Sequence, residues 1–205
     1  MNIHITNKTL FESLKLATIA KVRIGSHIYK TNNKDSDEDF LYIYATSINE
    51  SNSPFKVHHQ LQYKENNIDY NFVSLHNFIH NCINGDSTIN FEVIFSDELE
   101  GTSLEFITKD DIKNNLISYT IIKSYLGLAR RDVKHINKYK DDYNRKKRLG
   151  HIIRGYIYAN QMIEHSFDFK VCNKSFKNII DDISVSEYNN YLNTYSKYID
   201  ELRKE

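Results

Sequence analysis

The pattern of apolar and polar positions changes character about midway along the chain. Leu10, Phe11, Leu14 and Ala17 recur at helical spacing and predict an amphipathic helix with Thr6 or Thr9 as its cap. Residues 21–24 (KVRI) alternate up to Gly25 and read as a strand, and residues 40–46 (FLYIYAT) are rich enough in aromatic and β-branched types to read as another. Two further alternating runs, 55–63 and 68–73, flank the polar stretch 64–67 (KENN) and predict an antiparallel hairpin. Ser74 then caps a helix bearing Leu75, Phe78, Ile79 and Cys82, which ends at Gly85. Residues 87–95 (STINFEVIF) suit either state, and Ser87 as an N-cap favours a helix.

From Asp110 onward the period is helical throughout. Ile112, Leu116, Ile117, Tyr125, Leu126 and Ala129 mark one run, and Leu149, Ile152, Ile153, Tyr156 and Ile157 a second. A last run, 186–203, carries Tyr188, Tyr191, Leu192, Tyr195, Tyr198, Ile199 and Leu202. The expected fold class is therefore α+β: a small mixed or antiparallel sheet with flanking helices, followed by a C-terminal helical bundle. The expected domains are 1–108 and 109–205.

Composition narrows the partners. The 205 residues carry 27 Lys+Arg against 27 Asp+Glu, so no global charge draws the chain to nucleic acid or membrane, and any basic surface is local. Cys82 and Cys172 match no metal-ligand spacing, and His58 and His59 would face opposite ways on a strand. The N-terminus lacks the layout of a signal peptide, and no apolar run approaches the roughly 18 residues of a membrane helix, so a soluble cytoplasmic protein is expected. The bias towards Asn, Ile, Lys and Tyr fits an AT-rich genome such as a phage's, and does not decide between phage and bacterium.

The chemistry gathers in residues 25–40, GSHIYKTNNKDSDEDF. On a strand, Asp37 and Asp39 point to one side and Glu38 to the other. Two carboxylates on one face repel unless a cation separates them. Oxygen-only ligands suit a hard ion such as Mg²⁺, and Gly25-Ser26 suits a phosphate. Asp69, early in a later strand, is the candidate third acid. Each feature also has a plain reading: a turn at Gly-Ser, a solvated acidic loop, an Asp belonging to the hairpin.

In combination these residues resemble the signature of the DNA polymerase beta superfamily of nucleotidyltransferases, in particular a small bacterial and phage group with a pattern like G-S-x-x-Y-G-T-x-x-x-x-S-D-x-D. Gly25, Ser26, Tyr29, Thr31, Ser36, Asp37 and Asp39 fall on it. The resemblance implies that Gly25 and Ser26, with Lys30, Thr31 and Ser36 beside them, hold the phosphates of a nucleoside triphosphate. It further implies that Asp37, Asp39 and Asp69 bind two Mg²⁺ ions, with Mn²⁺ as a substitute. Asp69, Leu75 and Phe78 match the group's run D-x-x-x-x-x-L-x-x-F, and Glu92 falls on an acid of a later motif whose role the sequence does not disclose. Lys147, His151 and Arg154 match a K-x-x-x-H-x-x-R pattern and stand on one helix face, able to meet a triphosphate or an acidic substrate. Lys30 stands where the group has Gly; if that position needs a positive φ, the lysine adds strain on the order of 1 kcal/mol.

The expected activity is transfer of a nucleoside monophosphate from an NTP to a hydroxyl, on RNA, a protein side chain or a small molecule, with release of pyrophosphate. A protein acceptor would suit a toxin–antitoxin or phage–host conflict pair. The competing expectation is a catalytically silent module that binds nucleotide or RNA with the same fold.

Overall fold

Asn66 and Asn67 both adopt left-handed backbone angles, φ 50° and 63°, and together make the tight two-residue turn that right-twisted antiparallel strands favour. In the computed structural model, which describes residues 2–32, 36–46, 60–97, 99–100 and 115–203, that turn joins strand β4 (Gln60–Glu65) to β5 (Ile68–Ser74). The hairpin predicted around residues 64–67 is present but tighter. Lys64 and Glu65 belong to β4, with Lys64 opposite Asp69. Residues 55–59 of the predicted strand, with His58 and His59, lie outside the described residues.

Three other strands complete the sheet: β1 (Asn2–His4), β2 (Thr18–Arg23) and β3 (Glu38–Tyr44). Its order is β1-β4-β5-β3-β2. The pairs β1–β4 and β3–β5 are parallel, and β2–β3 and β4–β5 antiparallel, so the sheet is mixed. Sequence reasoning passes over β1, whose three residues are too few to show a period. The helix α1 (Lys8–Leu16) is capped by the Asn7 side chain, which accepts from the Thr9 and Leu10 amides, and not by Thr6 or Thr9. Asn is among the strongest N-caps.

Alternation along β3 sorts the two faces. Tyr42 and Tyr44 pack on one face with Phe72, Tyr70 and the α1 residues Phe11 and Leu14. Leu41 and Ile43, fully buried, lie on the other, and Asp39 leads that row at its N-terminal end. Helices α2 (Leu75–Asn84) and α3 (Thr88–Ile94) follow β5. Their caps are the predicted Ser74 and Ser87, accepting from the Asn77 and Asn90 amides, and α2 stops at Gly85 in the left-handed region, φ 68°.

The chain divides into two compact units, Met1–Leu116 and Ile117–Glu205. The second unit contains α4 (Tyr119–His135), α5 (Asp142–Ile163), α6 (Phe169–Asp182) and α7 (Tyr188–Leu202). The helical run predicted from Asp110 is interrupted: α4 begins at Tyr119 with Ser118 as its cap, and residues 101–114 lie outside the described set. Helix α6 went unpredicted because polar residues break up its apolar positions, yet Phe169, Cys172, Phe176 and Ile180 bury a single stripe. Gly155 lets α5 approach α4 closely, since a Cβ there would meet Ala129 Cβ at 3.0 Å and the Tyr125 carbonyl at 3.1 Å. No helix among the described residues is long and apolar enough to cross a membrane.

Candidate functional site

The turn after β2 is built against the head of β3. The Ile24 amide donates to the Asp39 carbonyl at 2.8 Å, which continues the β2–β3 ladder by one bond. Gly25 then turns away at φ +67°, and a Cβ added to it would lie 2.6 Å from Asp39 Oδ2. Glycine is required here twice over, for its backbone angle and for the room it leaves the carboxylate. The Gly-Ser motif and one of the candidate metal acids are thus in direct contact.

Residues 25–30 form a continuous turn, closed by the Lys30 amide on the His27 carbonyl and the Thr31 amide on the Ser26 carbonyl, both 3.0 Å. The Thr31 hydroxyl reaches the same Ser26 carbonyl at 3.4 Å. Lys30 itself sits at φ 57°. The position where the resembled pattern carries Gly is therefore left-handed in this chain, and the lysine bears the strain that glycine would avoid.

Tyr29 anchors the turn from below. Its side chain is buried, and its hydroxyl donates to Oε2 of Glu92 on α3, a carboxylate only 1% exposed. Glu92, whose role sequence leaves open, is thus a buried partner of a motif tyrosine.

Asp39 and Asp69 are register partners on the adjacent parallel strands β3 and β5, which puts their side chains on one face. Both are half-buried, while Asp37 precedes β3 and is exposed. Opposite Asp69 on β4, the Lys64 ammonium lies 3.0 Å from Asp69 Oδ1. At that distance the ammonium, with three rotatable N–H donors, both pairs with the carboxylate and donates a hydrogen bond to it. Contact with Asp69 raises the Lys64 pKa above the ordinary lysine value, and the charges of Asp37 and Asp39 add to the effect. All three acids act on one ammonium. Among the described residues, however, no group of three or more His, Cys, Asp or Glu side chains is drawn close enough to hold a metal ion.

The face bearing Lys147, His151 and Arg154 belongs to α5, in the second unit. Lys147 is exposed, and the Arg154 guanidinium lies 5.8 Å from the centre of the Phe176 ring. His151 is committed elsewhere in part: its Nδ1 is 3.0 Å from Oδ2 of Asp132 on α4. Asp132 is a buried carboxylate that also accepts from Arg148 at 3.2 Å and contacts Arg131 at 3.4 Å. Burial would raise its pKa, but the bond to His151 and the neighbouring guanidinium charges outweigh it and hold the acid ionised. Burial lowers the His151 pKa, with Arg154 and Arg148 acting the same way and Asp132 opposing. Sequence reasoning misses Asp132, since nothing local distinguishes it from a solvated helix acid.

Among solved structures, the chain is similar to a nucleotidyltransferase-like protein from Exiguobacterium sibiricum 255-15, at 9% identity and a TM-score of 0.35, over 95% of this chain and 72% of that one. No family model and no curated protein matches the chain. So distant a likeness carries no functional argument, which rests on the residues themselves.

Proposed function

We propose that the chain is a metal-dependent nucleotidyltransferase. The observation that carries the reading is that the Gly25 turn lies against the Asp39 carboxylate, and Asp39 stands beside Asp69 on the next strand. A glycine turn set against paired acids on one sheet face suits a triphosphate with hard cations. The donors are of the type such ions take: Asp39 and Asp69 offer carboxylate oxygens on one face, and a cation already lies against Asp69 Oδ1. Substrate phosphates would supply the further ligands that two carboxylates leave open.

In this reading Asp37, Asp39 and Asp69 hold the divalent ions. When bound, the ions neutralise charge on the departing pyrophosphate and lower the pKa of the attacking hydroxyl. Gly25 and Ser26 present the turn to the β- and γ-phosphates, while Thr31 ties the end of the turn back to Ser26. Lys30 and Ser36 are proposed to contribute a cation and a hydroxyl to the phosphates. Tyr29 and Glu92 fix the turn from inside the unit. The acceptor oxygen bonds to the α-phosphorus as the bond from that phosphorus to the bridging oxygen breaks. Pyrophosphate leaves with the electron pair, and the hydroxyl proton passes to the Asp69 carboxylate or to water. Catalysis of this kind comes chiefly from positioning and electrostatic stabilisation. Lys147, His151 and Arg154 are proposed as an anion-binding face for the triphosphate or for an acidic acceptor such as RNA.

A second reading, a silent nucleotide- or RNA-binding module, is favoured by one observation: Asp69 is engaged by Lys64, and the acids are not drawn into a closed ligand set. Incubation with each α-labelled NTP, Mg²⁺ and either tRNA or lysate protein separates the two. Label transferred to RNA or protein, and lost in Asp37→Ala, supports the enzyme; tight NTP binding with no transfer over hours supports the module.

A further inference from the structure

We propose that Lys64 is the resident counter-cation of the acid cluster, and that a divalent ion binds by displacing its ammonium from Asp69, so that Lys64 sets the metal affinity of the site. The proposal rests on the reading of Asp37, Asp39 and Asp69 as metal ligands.

The register leaves Lys64 no other face. It lies directly across the β4–β5 pair from Asp69, and Asp69 across β5–β3 from Asp39, so the three side chains form a row over adjacent strands on one side of the sheet. Neighbours in that direction are about 4.8 Å apart, close enough for one cation to serve two carboxylates. The next same-face pair along the hairpin is neutral: the Gln62 amide donates to Asn71 Oδ1 at 2.7 Å. Glu65 faces the other way and meets Lys8 at 3.8 Å. Lys64 is therefore the cation that the hairpin delivers to this row.

Its hold is weak enough to give way. The Lys64 side chain is 60% exposed and Asp69 38%, and ion pairs so open to water contribute little. The ammonium can swing into solvent on its flexible stem without being buried or stranded. A doubly charged ion gains more from the same oxygens than a singly charged one. Because the displaced lysine remains near the ion as a like charge, it continues to weaken metal binding after it has moved.

The test is Mn²⁺ binding by electron paramagnetic resonance, in the absence of nucleotide, on wild type, Lys64→Met, Lys64→Arg and Lys64→Met/Asp69→Asn. The expected result is that Lys64→Met lowers the Mn²⁺ Kd by about two- to fivefold, the scale of an exposed charge pair. Lys64→Arg should stay within about twofold of wild type, because it retains the charge. The double variant should lose the gain. An unchanged or raised Kd in Lys64→Met, with binding weakened further in Lys64→Met/Asp69→Asn, overturns the role of Lys64 and leaves the metal site standing. Absence of acid-dependent Mn²⁺ binding in both wild type and Lys64→Met overturns this proposal together with the metal site.

Discussion

Replacing Tyr29 by Phe removes one hydroxyl, and with it the bond to Glu92, and leaves the buried ring in place. Tyr29 is 8% exposed and Glu92 1%, and water cannot readily replace the missing donor. A hydrogen bond to a carboxylate in such surroundings contributes about 1.5–3 kcal/mol. For a chain of this length, each kcal/mol shifts the midpoint by about 2–4 °C, so Tyr29→Phe is expected to lower Tm by roughly 3–12 °C. Glu92→Gln keeps an acceptor but loses the charge, and is expected to cost less. Urea unfolding followed by circular dichroism on both single variants and the double variant closes a thermodynamic cycle, with an expected coupling of about 1–2 kcal/mol. Hydrogen exchange supplies an independent readout: the Lys30 and Thr31 amides, which close the turn, should exchange faster in Tyr29→Phe. A loss below about 0.5 kcal/mol, or additive single effects, would refute the claim that Glu92 anchors the turn.

Three further outcomes follow from the same geometry. Gly25→Ala places a Cβ against Asp39 Oδ2 at a positive φ, and is expected to destabilise by about 1–2 kcal/mol and weaken Mn²⁺ binding, both readable in one thermal titration with and without the ion. Lys30→Gly relieves a left-handed lysine and should gain up to about 1 kcal/mol, less the added freedom of glycine in the unfolded chain, while calorimetry should show weaker triphosphate binding. His151 has a folded pKa below its unfolded value near 6.5, so the unfolded chain takes up the proton first as pH falls. Its contribution is complete above that pH and is lost below it, down through the folded pKa; His151→Gln should flatten urea stability between pH 7.5 and 5.5, the interval chosen to bracket that change.

Much of the first unit is legible because strongly patterned strands leave few alternatives. Residues 40–46 are too rich in aromatic and β-branched types to read as anything but a strand. The observed β3 is displaced two residues earlier, Glu38–Tyr44, which brings Asp39 into the sheet and leaves Ala45 and Thr46 outside it. Both serine caps are readable for the same reason: the hydroxyl solves a local hydrogen-bonding problem. What stays hidden is long-range. Whether Asp69 meets Asp39 depends on β5 pairing in parallel beside β3, a register that no local pattern encodes. Lys64 is missed through one mistaken boundary, since KENN reads as a four-residue turn. Recognising Asn66-Asn67 as a sufficient two-residue turn would have put Lys64 on β4, facing Asp69. The Asp132–His151–Arg148 group is invisible for a comparable reason: Arg148 and His151 share one helix, but Asp132 is 16 and 19 residues away from them and meets them only when α4 and α5 pack.

Transfer of α-labelled NTP in the presence of Mg²⁺, compared between wild type and Asp39→Ala, decides whether the acids Asp37, Asp39 and Asp69 support nucleotidyl transfer. Asp39 is the acid in contact with the Gly25 turn, so its loss strikes metal and phosphate handling together. Label is expected on RNA or protein with wild type, dependent on Mg²⁺, with a fall of at least about a hundredfold in Asp39→Ala. Transfer that persists undiminished in Asp39→Ala, or NTP binding with no transfer by wild type to either acceptor, would contradict that role.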